Sequence, residues 1–228
     1  MKIALPSATV FAALRTIAAT VAAVAALTGP VPGQAARTTD ECGNVFDNGE
    51  VGPWDYTKAE NRVTIERVPN VERHHWSPAV ERLERGVTSD YAMDDLDYIL
   101  RAIPNHPRAL NAVARYEIEI GRIPSNWRSA QCWFDRALTF RPEDGTVWLV
   151  YGNYKSRLGA TDTALEAYQR AKELMPDDVE VDYNLGLLYV KLGDYDKAAV
   201  HARAAYEHHY PLQGLRRKLA EKGIEVAP

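Results

Sequence analysis

Residues 145–176 read GTVWLVYGNYKSRLGATDTALEAYQRAKELMP, and this stretch decides the fold because its small residues recur 34 positions later. The recurring pairs are Gly152 with Gly186, Gly159 with Gly193, Ala164 with Ala198, and Ala171 with Ala205. Small residues are needed where two helices of a hairpin touch, and glycine is favoured where one helix ends and the chain reverses. The spacing therefore predicts a helical hairpin that is repeated along the chain.

The repeated hairpin resembles the tetratricopeptide repeat. When Pro176 is aligned with the closing proline of that family, its aromatic, Gly, Ala, aromatic, Ala and Pro positions are Trp148, Gly152, Ala164, Tyr168, Ala171 and Pro176. The sequence departs from the pattern at Lys155, where an inward tyrosine is usual, and at Asp182 and Ala202, which replace bulky residues in the next copy. The resemblance implies an all-α fold, a tetratricopeptide-repeat solenoid of stacked helical hairpins.

The pattern extends more weakly towards both ends of the chain. We predict helices over residues 77–86, 91–103, 107–121, 125–140, 145–158, 162–174, 179–192, 195–208 and 212–222, with Ser77 and Ser125 as N-caps. The predicted segments are a signal peptide at 1–36, an irregular N-terminal cap at 37–76, degenerate repeat helices at 77–106, and at 107–222 a repeat array with a C-terminal capping helix. A broader resemblance, carried mainly by residues 95–116 and 132–134, is to uncharacterised bacterial envelope proteins with repeats, and it implies no activity.

Residues 1–36 have the order of a secretory signal peptide. A basic start precedes an apolar, alanine-rich run from Thr16 to Leu27, which is followed by prolines and glycines and by the small residues Ala35 and Ala36. The run is short for a bilayer span, which needs about 20 apolar residues. We predict cleavage near Ala36 and a periplasmic or secreted protein. The alternatives are an uncleaved leader, through which alone the chain would touch a membrane, and a cytosolic protein.

The two cysteines, Cys42 and Cys132, both follow the leader. One pair in an exported protein predicts a disulfide, whereas in a reducing cytosol the same residues would be separate buried thiols. A bridge would attach the segment after the leader to the outside of the repeat array. That segment carries many turn residues together with the aromatics Trp54, Tyr56 and Trp76, so we predict an ordered cap that covers the first helices, with disorder as the alternative.

Neither catalysis nor nucleic-acid binding is indicated. The sequence lacks the GxSxG, phosphate-loop and HExxH motifs, and its histidines have no ligand spacing typical of a metal site, so we predict no enzyme, no metal and no cofactor. The net charge of −4 becomes about −6 without Lys2 and Arg15 of the leader. A mildly acidic surface is unsuited to phosphate neutralisation.

The groove along the first helices of the hairpins is the predicted site. In the family this groove binds peptides, and one variant holds a peptide's C-terminal carboxylate with Asn and basic side chains. Asn153, Asn184 and Lys218 occupy three of that variant's positions, but Leu149 and Gly214 replace two of its lysines. We therefore predict a groove containing Asn153, Arg157, Asn184 and Lys218, either as a partial carboxylate clamp or as a general polar surface. These polar side chains are expected to contribute little to stability.

The sequence leaves three functions open. The first is an exported module that binds a peptide or partner protein in its groove. The second is a permanent structural or accessory subunit of a bacterial secretion or surface-polymer envelope complex. The third, an enzyme with an unrecognised site, has no motif in its favour.

Overall fold

The computed structural model describes residues 42–47, 49, 51–121, 124 and 126–226. All of them belong to one compact unit, Arg37–Pro228. The predicted signal peptide at 1–36 lies outside the described residues. How the chain divides into folding segments stays a prediction.

The described secondary structure is helical, without a β-strand in the described ranges. A π-helix, Glu60–Thr64, comes first. The α-helices that follow are α1 Arg67–His75, α2 Pro78–Glu81, α3 Ala92–Ala102, α4 Pro107–Ile120, α5 Ala130–Phe140, α6 Gly145–Arg157, α7 Thr161–Leu174, α8 Val179–Leu192, α9 Tyr195–Glu207 and α10 Gly214–Ala220. The predicted all-α class is confirmed.

Side chains at the N-caps explain where most of these helices begin. Ser77 accepts a hydrogen bond from the Val80 backbone N–H, as predicted. Asp144 and Asp178 accept two backbone N–H groups each at the starts of α6 and α8. Such caps satisfy donors that the helix itself cannot pair.

Three sequence predictions of helix boundaries are wrong. The helix predicted over 77–86 is only Pro78–Glu81, and its C-cap is Arg82. Helix α5 begins after Ser129, whose hydroxyl accepts from the Cys132 N–H, and not after Ser125, so the preceding loop is longer than predicted. Helix α1 lies inside the segment that we predicted to be irregular. Its two inward residues, Val68 and Val71, are buried, but Pro69 between them hid the helical pattern.

The recurring glycines act as the repeat predicts. A Cβ added to Gly152 would lie 2.5 Å from the Tyr168 ring, so α6 and α7 approach too closely for any side chain there. Gly186 is packed against the last helix instead, because a Cβ there would lie 2.4 Å from Leu215 Cδ2 on α10. Ala202, the small residue that replaces the family's bulky one, is buried in the same core cluster as this leucine. The last helix thus completes the second hairpin.

The first helices of successive hairpins form a continuous row. Helix α4 contacts α6, α6 contacts α8, and α8 contacts α10, while α7 and α9 pack on α6 and α8 respectively. Side chains on this row therefore belong to one surface, which we call the groove.

The N-terminal segment docks through the predicted disulfide between Cys42 and Cys132, with an S–S distance of 1.98 Å. Arg136, only 3 % exposed, donates to the Gly43 carbonyl at 3.0 Å. Burial, reinforced by the nearby Arg128 cation, lowers its pKa to about 10. The backbone carbonyls of the attached segment thus solvate a buried cation, which explains why this part of the cap is ordered.

A buried amide joins the cap to the repeats. Asn105 is fully buried and donates to Asp55 of the cap and to Asp144, the N-cap of α6, at 2.9 Å each. Its oxygen accepts the Tyr56 backbone N–H at 2.9 Å. Every hydrogen-bonding atom of this side chain is therefore used.

Candidate functional site

The groove begins with Asn153 on α6. This side chain is half-buried, and its Oδ1 accepts the Tyr168 hydroxyl at 2.8 Å. Tyr168 is only 2 % exposed, and burial raises its pKa. Asn153 thus holds a core tyrosine as well as facing the groove. This hydrogen bond to a buried side chain argues against the expectation that Asn153 contributes little to stability.

The other three predicted groove residues make no hydrogen bond to a core side chain among the described residues. Asn184 on α8 is half-buried and donates to the Glu180 carbonyl of its own helix at 2.8 Å. Arg157 ends α6 and Lys218 lies on α10; both are exposed, and neither makes a hydrogen bond or ion pair with another described residue. The structure places all four residues on the row of first helices but joins no two of them by a hydrogen bond. Their role in binding stays a prediction.

At two positions of the carboxylate clamp, Leu149 and Gly214 stand where the family variant has lysines. Leu149 is an apolar residue only 5 % exposed, and it belongs to the core of the second half of the array. Gly214 leaves room for the Tyr183 hydroxyl, which would lie 2.8 Å from a Cβ at that position. Neither position offers a cation to a carboxylate.

An acidic and aromatic cluster lies at the N-terminal part of α8, on the row of first helices. Glu180 and Tyr183 lie one turn apart on α8, and the Tyr183 ring packs on Tyr210 with the centroids 4.6 Å apart. Glu180 is exposed, yet desolvation by the protein and, to a smaller extent, repulsion by Asp178 raise its pKa. Burial, with the acidic Glu180 nearby, raises the pKa of Tyr210 to about 12.

Sequence reasoning missed this cluster. Asp177 and Asp178 suggested only a helix cap, and Asp178 is indeed the cap of α8. The available signal was the position of Glu180, four residues before Asn184 on the same helix, which places both side chains on one face. The Tyr183–Tyr210 contact, in contrast, depends on the loop after α9.

The aromatic cap residues are covered and do not form a free surface. Arg67 lies over the Trp54 ring at 5.5 Å, Arg62 over Tyr56 at 4.9 Å and Arg108 over Trp76 at 4.8 Å. All three rings pack against the core of the first half of the array. A pocket of about 330 Å³ beside the π-helix is lined by residues such as Arg62, Val68 and Glu72.

Three histidines pair with carboxylates at helix contacts. The pairs are His75 with Asp95 at 2.8 Å, His106 with Glu72 at 3.0 Å and His201 with Asp182 at 2.9 Å. Each pair joins two elements that pack together, so these pairs stabilise the fold. Across the described ranges, no group of three or more His, Cys, Asp or Glu residues is arranged to hold a metal ion. No described helix is both long and apolar enough to cross a bilayer.

Comparison with known proteins decides the nature of the repeated unit. The family model of the TPR repeat matches residues 152–200, the stretch that includes the C-terminal part of α6, all of α7 and α8, and the start of α9. The chain contains tetratricopeptide repeats. This repeat is an interaction scaffold and is not typically enzymatic.

Similar proteins share the repeats over short stretches. The peroxisomal targeting signal receptor of Candida albicans is 33% identical over 76 residues, which are 33% of this chain and 13% of the receptor. The general transcriptional corepressor trfA of Dictyostelium discoideum is 30% identical over 111 residues, 48% of this chain and 8% of the relative. Among solved structures, MamA has a TM-score of 0.45 and 21% identity over 59% of this chain and 78% of that one. The chain therefore spans only 13% of the length of the receptor and 8% of the length of the corepressor.

Proposed function

We propose that this TPR protein is a binding module whose groove takes a peptide segment or partner protein, without a catalytic or cofactor-dependent role. The observation that carries the proposal is the continuous row α4, α6, α8 and α10, which presents two exposed cations, Arg157 and Lys218, that have no partner among the described residues, together with an aromatic cluster. Polar and aromatic side chains on a rigid scaffold are suited to recognising an extended or helical segment. A protein or peptide partner is favoured over nucleic acid because the chain is acidic.

The printed name of the Candida albicans relative describes a receptor for a targeting signal. Only 76 residues of that receptor are matched, so the comparison supports peptide recognition in general and gives no information on which peptide.

We further propose that the protein works outside the cytosol, in the periplasm or after secretion. The leader pattern at 1–36 supports export, and the disulfide supports it because structural disulfides persist in oxidising compartments. The intact mass of purified protein tests this part. A mass corresponding to a start near Ala36 or Arg37 is expected, and a retained Met1 contradicts cleavage.

Affinity capture from an extract of the source cell envelope tests the binding function. The variant Arg157→Ala removes an exposed, unpaired cation from the groove, and Arg203→Ala removes an equally exposed cation from α9, outside the row of first helices. We expect Arg157→Ala to recover less partner than Arg203→Ala at unchanged melting temperature. Equal recovery by both variants contradicts a groove that reaches Arg157. Stoichiometric partners that survive extensive washing would favour the permanent subunit of an envelope complex instead.

A further inference from the structure

The first turn of α8 holds a carboxylate, Glu180, that has no counter-charge among the described residues. Glu180 makes no hydrogen bond or ion pair through its side chain with any described residue. The charged group that affects its pKa is a second acid, Asp178, whose Oδ1 already accepts a backbone N–H in capping α8. Desolvation and this like charge both raise the pKa of Glu180, so the ionised carboxylate is less stable there than in water.

Two tyrosines stand beside this carboxylate. Tyr183 is 8 % exposed, and its hydroxyl has no hydrogen-bond partner among the described residues although it lies at the groove beside Gly214. Its ring and that of Tyr210 are tilted by 41° at a centroid distance of 4.6 Å. Several tyrosine rings of this protein carry a cation, as Tyr206 does with Arg216 at 4.1 Å, whereas no cation lies over Tyr183 or Tyr210 in the described residues.

We propose that Glu180, Tyr183 and Tyr210 form a cation subsite of the groove, which takes a lysine or arginine side chain of the bound segment. The guest cation would pair with the Glu180 carboxylate and lie against the tyrosine rings, where cations within about 6 Å of a ring centroid are attracted to its face. The unpartnered Tyr183 hydroxyl is an acceptor for one of its N–H groups. This inference rests on the proposed function of the groove.

Charge complementarity favours a basic guest over a carboxylate. The positions where a carboxylate clamp needs cations hold Leu149 and Gly214, so a peptide C-terminus would meet Glu180 and Asp178 without compensation. A guest cation, in contrast, relieves the repulsion between these two acids. The basic residues Arg157 and Lys218 lie on neighbouring helices, and neither contributes to the pKa of Glu180.

The test uses a phage-displayed library of random heptapeptides panned on the folded, oxidised protein. Selected peptides are then measured by fluorescence anisotropy against wild type, Glu180→Gln and Glu166→Gln. Glu166 is an exposed glutamate on α7, outside the row of first helices, so its variant makes the same charge change elsewhere. Circular dichroism confirms that each variant is folded.

We expect the selected peptides to share a Lys or Arg. Glu180→Gln should weaken binding about tenfold, and so should norleucine in place of the peptide's lysine, since a desolvated cation pair is worth about that factor. The two changes together should cost little more than either alone, and Glu166→Gln should leave the affinity unchanged.

Two other results are distinguishable. In the first, the selected peptides have no basic residue, bind Glu180→Gln as well as wild type, and fail to bind Asn184→Arg, in which the larger side chain fills the groove. This result would overturn the cation subsite but leave the proposed function standing. If no peptide is selected, or if selected peptides bind Asn184→Arg as well as wild type, the groove is not the binding surface and both proposals fail.

Discussion

Replacing Asn153 by alanine should destabilise the protein although the residue lies on the groove. The change removes the acceptor of the Tyr168 hydroxyl, a 2.8 Å hydrogen bond to a side chain only 2 % exposed. The Tyr168 hydroxyl keeps Ser156 as a second side-chain partner, so the change costs the net value of one hydrogen bond, which is typically about 0.5–1.5 kcal/mol. We therefore expect a loss of about 1 kcal/mol in the free energy of unfolding.

A matched control is available one repeat further on. Asn184 donates only to the Glu180 carbonyl of its own helix, and no buried side chain depends on it. Asn184→Ala should therefore cost less than about 0.5 kcal/mol. Urea denaturation followed by far-ultraviolet circular dichroism gives both values, provided that the slope of the free energy with urea is unchanged.

A double-mutant cycle isolates the hydrogen bond. Tyr168→Phe removes the hydroxyl, so Asn153→Ala should cost little when added to that variant, and the coupling energy should be about 1 kcal/mol. The reasoning is refuted if Asn153→Ala is no more destabilising than Asn184→Ala, or if its cost is the same with phenylalanine at position 168.

Three further results are expected. Gly152→Leu should lower the melting temperature and cost about 1–3 kcal/mol or more, because even a Cβ would lie 2.5 Å from the Tyr168 ring; an unchanged melting curve would contradict the close helix contact. Replacing Cys42 and Cys132 together by alanine should lower stability by up to about 4–5 kcal/mol, since the bridge closes a loop across 90 positions; in urea titrations the reduced wild type should match the variant and the oxidised wild type should be more stable. Stability should also fall as the pH drops below about 4. Burial alone would raise the pKa of Asp182, but hydrogen bonds from its histidine and lysine partners outweigh burial and lower this pKa below the unfolded value. The Asp182→Asn variant should therefore lose part of the pH dependence in urea titrations at several pH values.

Much of the repeat architecture follows from the sequence because its determinants are local. The 34-residue spacing of glycines and alanines predicts where helices touch and turn, and α8 has the predicted bounds Val179–Leu192. Gly193, with a φ of 78°, ends that helix as glycine is expected to. The periodicity fails in the cap, where Pro69 and short elements obscure the two buried valines of α1.

The candidate site was predictable only in part. The sequence places Asn153, Asn184 and Lys218 on first helices, because the repeat fixes which face each position occupies. It could not show that Asn153 holds a buried tyrosine, since that contact joins two helices through particular rotamers.

The sequence by itself determined the class of fold, the repeated hairpin and the positions on the groove, because helix periodicity, caps and small residues act within a few turns of chain. Only the tertiary structure decided which groove residues are structural and which are free to bind. It places Tyr210, from the loop after α9, against Tyr183 on α8, and Glu180 has no cationic partner in the part of the chain that the structure describes. Charge compensation and ring packing depend on residues brought together from different helices, and no spacing along the chain encodes their distances.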